Sequence, residues 1–199
     1  YASPLFMESI ESSDQDKEWH TKDLWNYEYT TGPPVVNLRA ISFLGPEAFE
    51  GVIAERLSKN IIYEMGEWKT HEEVNNERGI YIPLDIASAA GAEVGDNLDT
   101  LTFTYTYERS LPGAMEDDDC PGEIIEGEEY RLMYCQVRMT LENVTILGIY
   151  EPWPQGNPVL AANPVYTTWT LLSNEQRTTL IDKDHVYLCL LYTSPSPRD

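Results

Sequence analysis

The sequence predicts an α+β fold, a strand-rich mixed sheet with a few short helices between its strands, and two patterns carry that prediction. Leu101, Phe103, Tyr105 and Tyr107 alternate with Thr102, Thr104 and Thr106, which is the two-residue period of a strand with one covered face. Phe49, Val52, Ile53, Leu57 and Ile61 follow one another at steps of three, one, four and four, one stripe of a helix over 46–60. Short helices set between strands place the chain in the α+β class.

Taken in chain order, residues 1–32 are polar and acidic but hold Trp19, Trp25, Tyr27 and Tyr29. That is too much aromatic surface for a free linker, so part of this lead-in is expected to pack on the body. Pro33-Pro34 breaks the chain, and Val35–Phe43, rich in β-branched and apolar residues, reads as a strand whose alternation shifts phase near Ile41. Gly45-Pro46 opens the helix described above, whose other face carries Glu47, Glu50, Glu55 and Lys59. After Gly66 a polar stretch, Lys69–Arg78, leads to a short strand, Gly79–Ile82. Pro83–Ala90 reads as a two-turn helix capped by Gly91, and Gly95-Asp96-Asn97 as a turn. Pro112–Gly127 is a loop. Tyr130–Leu141 and Val144–Tyr150 read as two strands joined in a hairpin at Glu142-Asn143. Prolines from Pro152 to Pro164 mark an extended loop with Trp153, Ser173 and Gln176 form a capping box that opens a helix to about Ile181, and His185–Leu188 begins another strand.

Composition excludes some partners. The 199 residues carry 34 acidic against 13 basic side chains, a formal charge of −21. Nucleic acid is not an expected partner, because phosphate backbones are captured by clustered Lys and Arg. An anionic membrane surface is a poor partner for the same reason. With 42% apolar residues there is material for a packed core. No stretch approaches the ~20 apolar residues of a membrane span. The opening Tyr1–Met7 is apolar and turns acidic from Glu8, which fits either a chain leaving a membrane span or a core segment. Cys189–Asp199 resembles the conceptual translation of a sequencing-library adapter and is set apart from the fold. On that reading the sequence is a piece of a longer gene product, and removing the tail leaves the net charge unchanged.

Cys120 and Cys135 then remain, 15 residues apart. They are either a disulfide, worth ~3 kcal/mol in the chain-entropy model, or two free thiols. Neither spacing nor the isolated His20, His71 and His185 makes a zinc pattern, so no metal ligands are assigned. Asn143-Val144-Thr145 is an N-glycosylation sequon, with meaning only outside the cell. The run Glu116-Asp117-Asp118-Asp119 offers oxygen ligands for calcium but lacks the alternating spacing and closing Glu of an EF-hand loop, and reads more readily as a solvated turn. No P-loop, GxGxxG, GxSxG or HExxH motif is present, and no catalytic residue or cofactor is assigned. Trp68, Trp153 and Trp169 suit either core packing or a sugar platform.

Four segments, in order, resemble the extracytoplasmic domain of FtsX-like and MacB-like ABC transporter permeases. Pro4-Leu5-Phe6 with Glu8-Ser9 is similar to that family's exit from its first membrane helix. Tyr63-Glu64-Met65-Gly66-Glu67-Trp68 resembles its "eGrwP" segment, with Glu67 in place of the usual basic residue and Lys69 in place of the proline. Ile80-Tyr81-Ile82, the helix Leu84–Ala90 and Gly91–Leu98 resemble a helix ending "lgl.vGD" before a strand, and Val144–Pro152 resembles the strand "vvGiy.p". The resemblance implies a membrane-exit lead-in over 1–32 and a core domain over 33–188, and residues 189–199 are the adapter-like tail set apart above. It further implies a location on the outer side of the cell membrane, attachment through flanking helices, a homo- or heterodimeric permease and a separate cytoplasmic ATPase subunit as partner. Catalysis is not expected here. The competing expectations are a secreted carbohydrate- or calcium-binding module, or a hydrolase built on paired carboxylates.

Overall fold

A computed structural model describes residues 5–21, 36, 39–112, 130–152 and 163–182. The chain runs β1 (Leu5–Glu11), β2 (Ile41–Leu44), α1 (Val52–Asn60), β3 (Ile61–Gly66), α2 (His71–Asn76), β4 (Gly79–Pro83), α3 (Leu84–Ala90), β5 (Asn97–Pro112), β6 (Tyr130–Tyr150), β7 (Val165–Thr168) and α4 (Asn174–Asp182). Short 3-10 turns cover Pro46–Phe49 and Trp169–Leu171. This is the mixed, strand-rich α+β architecture that the patterning predicts.

The strands form one sheet in the order β1-β5-β6-β4-β7-β2, with β3 on β6 beyond the end of β5. β6 pairs antiparallel with β5 and parallel with β4, so it belongs to both halves of the sheet. The sheet curls until its ends meet: Phe6 bridges Ala40, and the Met7 N–H donates to the Arg39 carbonyl at 2.8 Å.

Alternation along the strands divides the core in two. Ile80, Ile82, Ile146 and Ile149 enter a large cluster with Met7, Leu101, Phe103 and Leu141. Their neighbours Tyr81, Leu147 and Tyr150 enter a second cluster with Phe49, Leu57 and Val74. β4 is therefore buried along its whole length, as expected of a strand covered on both faces. In β5 the buried Leu101, Phe103 and Tyr105 alternate with half-buried threonines.

Several expectations are corrected. Of the strand expected over Val35–Phe43, residues 35, 37 and 38 lie outside the described residues, and among the described ones the strand runs from Ile41, where the phase shift lies, with Ala40 an isolated bridge to Phe6. Ahead of it the Arg39 N–H donates to the Val36 carbonyl at 2.9 Å. The helix over 46–60 is broken at Glu50-Gly51, and α1 restarts with Val52 exposed (68%) rather than in the apolar stripe. The hairpin at Glu142-Asn143 does not form. Pairing continues in one register from Thr100↔Glu142 to Leu98↔Val144, with Asn143 between them at a left-handed φ of +51°. The polar stretch Lys69–Arg78 contains α2, and Leu5–Glu11 and Val165–Thr168 are strands that patterning leaves unassigned. The apolar opening is core: Leu5, Met7 and Ile10 are buried.

Part of the lead-in packs on the body, as its aromatics predict. Trp19 lies against the large cluster. The carbonyls at the end of α3, which a helix leaves without internal partners, accept from this segment: Ala90 from the Glu18 N–H at 3.0 Å and Gly91 from Lys17 Nζ at 2.7 Å, while the His20 ring lies 3.2 Å from the Ala89 carbonyl. Lys17 also pairs with Asp96 at 3.0 Å. Arg39 pairs with Asp85 in the first turn of α3.

The predicted capping box ahead of α4 is built, and a second one, not predicted, opens α2. Ser173 and Gln176 exchange hydrogen bonds at 2.8 and 3.1 Å ahead of α4. In α2 the Thr70 hydroxyl accepts from the Glu73 N–H at 3.3 Å, and Glu73 Oε2 accepts from the Thr70 N–H at 2.9 Å. Replacing Thr70 with alanine is expected to cost about 1 kcal/mol, read from a urea melt. The Thr70 side-chain and backbone hydrogen bonds hold the Glu73 carboxyl below its ordinary value of 4.5. A lowered folded-state value stabilises above the unfolded pKa and is lost as pH falls through the folded one. The stability gap between wild type and Thr70→Ala should therefore narrow below about pH 4, and a gap that widens on acidification would contradict the cap.

Candidate functional site

The segment Ile61–Lys69 shapes the site. β3 meets β6 at Ile61↔Tyr150 and Gly66↔Gly148, so four residues on β3 face a single one on β6. The surplus arches outward. Within it Glu64 takes φ +69°, a left-handed conformation that side chains disfavour, and Gly66 takes φ +101°. Such strain, costing ~1–3 kcal/mol at a non-glycine residue, concentrates at functional positions.

Gly66 is required for contact. A Cβ there would lie 2.2 Å from the Leu147 carbonyl oxygen and 2.6 Å from the Gly148 Cα. Gly148 in turn admits the Tyr81 ring, 2.9 Å from where its own Cβ would stand. Trp68 then stacks between Tyr81 (centroids 4.6 Å apart, planes at 27°) and Phe49 (5.2 Å, 23°). Its indole N–H donates to the Phe49 carbonyl at 3.3 Å. The Tyr81 hydroxyl accepts from the Lys69 N–H at 2.9 Å and donates to the Glu67 carbonyl at 3.2 Å, pinning the segment on either side of Trp68. Burial pushes the Tyr81 phenol well above its ordinary value, so it serves as a neutral donor and acceptor.

Along the same edge of β6 the turn before β5 is fastened. The Gly95 N–H donates to the Ile146 carbonyl at 2.8 Å, and the Ile146 N–H to the Asp96 carbonyl at 3.0 Å. Between this turn and the Gly66 segment lies an open groove of about 380 Å³. Gly66, Glu67 and Lys69 line one side, Val94 and Gly95 the other, and Thr145–Leu147 run along it, with Glu77 beside Lys69. Lys69 Nζ reaches both Glu77 oxygens at 2.7 and 2.8 Å. The groove thus has an apolar strip bordered by Glu67 and by the Lys69–Glu77 pair.

Comparisons of the chain with protein-family models, with curated proteins and with solved structures find no match.

The candidate residues do not converge. Asn143 is exposed, at its left-handed position in β6. Cys135 sits in β6 opposite Tyr107, whereas Cys120 lies outside the described residues, as do Trp153, His185 and the run 116–119. His71 lies edge-on to Phe49, and His20 is at the end of α3. Among the described residues no three His, Cys, Asp or Glu side chains could hold a metal ion, and no helix is long and apolar enough to cross a membrane. Both faces of Trp68 are covered by the protein's own rings, and Trp169 lies edge-on to Phe43.

Patterning along the chain does not reveal the groove, since it is assembled from three stretches far apart in sequence. The lining glycines at 66 and 95 are its trace there.

Proposed function

We infer that the chain is an extracytoplasmic domain of an ABC transporter permease, engaged in coupling and partner contact, with ATP hydrolysis carried by a separate cytoplasmic ATPase subunit. One observation carries this reading. Three of the four segments that resemble FtsX-like and MacB-like permeases form a single contact unit in space: Gly66 against Leu147 and Gly148, Tyr81 against Gly148 and Trp68, and Gly95 and Asp96 hydrogen-bonded to Ile146. The fourth, at Pro4–Ser9, runs into β1, whose Leu5 and Met7 are buried, so its apolar character has a core use in addition to any lead from a membrane span. The charge of −21 suits a soluble outer surface.

The test is topology. In cells making the complete gene product without its native cysteines, the exposed Glu50 is changed to cysteine and treated with a membrane-impermeant maleimide. Labelling of intact cells is expected. Labelling that requires lysis would remove the reading.

A further inference from the structure

We propose that Asn143 carries an N-linked oligosaccharide, transferred to its side-chain amide from a lipid-linked diphosphate donor on the outer side of the membrane. The inference rests on the permease reading for its compartment, and on the geometry of β6 for its site.

Asn143-Val144-Thr145 is the one Asn-x-Ser/Thr triplet without a central proline in the 199 residues. The fold holds this triplet by its middle and leaves its acceptor open. Val144 is fully buried in the large cluster, whereas Asn143 is exposed and Thr145 half-buried. Among the described residues none hydrogen-bonds to the Asn143 side chain. On the side of β6 away from β5, β4 begins only at Gly79, opposite Thr145, so Asn143 lies ahead of that strand's start. Arg78 fastens the backbone there: its Nε donates to the Glu142 carbonyl at 2.9 Å, and its own carbonyl accepts from the Thr145 N–H at 3.1 Å. The chain is thus fixed on both sides of Asn143 without using the carboxamide. A bulky, solubilising glycan attached to that amide meets solvent, and no packed surface has to open for it.

Backbone conformation accounts for only part of the triplet. The φ of +51° suits asparagine, but aspartate or glycine tolerates it as well, and it sets no requirement for a hydroxyl two residues on. Glycan transfer requires both groups. In that step the Asn143 amide nitrogen bonds to the anomeric carbon of the donor sugar as the carbon's bond to the diphosphate oxygen breaks. The lipid diphosphate leaves, and one amide proton passes to a base of the transferase.

The experiment takes the complete gene product from the cells that natively make it and treats it with peptide-N-glycosidase in heavy-oxygen water. Mass spectrometry of the peptide holding residue 143 should show aspartate with the heavy oxygen incorporated, the mark of a released glycan. On a denaturing gel, Asn143→Gly should remove one glycan's step in mobility, and glycine suits the left-handed backbone, so the strand is kept. Thr145→Val keeps the β-branched shape that favours a strand and loses the hydroxyl, so residue 143 should be bare. Thr145→Ser should retain the mark. Unchanged far-UV circular dichroism shows that each variant is folded. A bare residue 143 in the wild type overturns the proposal. So does a mark that survives Thr145→Val, a mobility that Asn143→Gly leaves unchanged, or a Thr145→Ser chain as bare as Thr145→Val, which would assign the loss to the strand rather than to the hydroxyl. The maleimide labelling is read separately: external labelling with residue 143 bare removes the glycan alone, and labelling that requires lysis removes the permease reading.

Discussion

Replacing Gly66 with alanine is expected to cost about 3–5 kcal/mol, enough to unfold much of a marginally stable domain. The new methyl carbon would stand 2.2 Å from a carbonyl oxygen and 2.6 Å from a Cα, both backbone, so no side chain can rotate away. The φ of +101° adds strain for any residue with a Cβ. Gly91 supplies the control. Its φ is +67°, but nothing lies within 4 Å of the place its new methyl group would take. Gly91→Ala should therefore lose only the conformational part, about 1 kcal/mol. Urea midpoints of the two variants separate contact from conformation, and equal losses would mean that β3 is not seated on β6.

Tyr81→Ala should be nearly as damaging, at about 3–5 kcal/mol. The side chain is 1% exposed and lies between Trp68 and Gly148, so truncation leaves a cavity at the centre of the second cluster. It also strips the Lys69 N–H and the Glu67 carbonyl of their shared partner. Tyr81→Phe keeps the ring and loses only the hydroxyl, with a cost of about 1–2 kcal/mol. Tryptophan emission should shift to the red in Tyr81→Ala, where Trp68 loses one of its two covering rings, and far less in Tyr81→Phe. If the alanine variant melts with the wild type, Trp68 is not held by this stack.

What the sequence makes legible follows from how local each element's cause is. The threonine alternation of β5, the run β4-α3 with Gly91 at φ +67° and the Ser173–Gln176 box are decided within a few residues, and each appears where the pattern puts it. β7 is different. Its four residues become a strand because β4 and β2 lie on either side, and Thr167 is buried by donating to the Gly79 carbonyl at 2.7 Å. Nothing local announces that. α2 carries a full capping box, yet Val74 is its one buried residue, so the stripe that would mark a helix is missing. At Glu142-Asn143 a turn-favouring pair is overruled by the ladder between β5 and β6, since reversing the chain there would forfeit pairings on both sides of Asn143. The groove depends on contacts between residues about 50 to 80 positions apart, beyond the reach of any spacing rule.

The meeting of β1, at one end of the sheet, with the segment just ahead of β2 at the other has a mechanical consequence. Backbone hydrogen bonds of an antiparallel ladder lie across the strands. Tension along β1 therefore loads its links to β5, and the one from Met7 to Arg39, together in shear, where peeling would break them one after another. A pull along this strand is therefore resisted by all of these bonds at once rather than by each in turn.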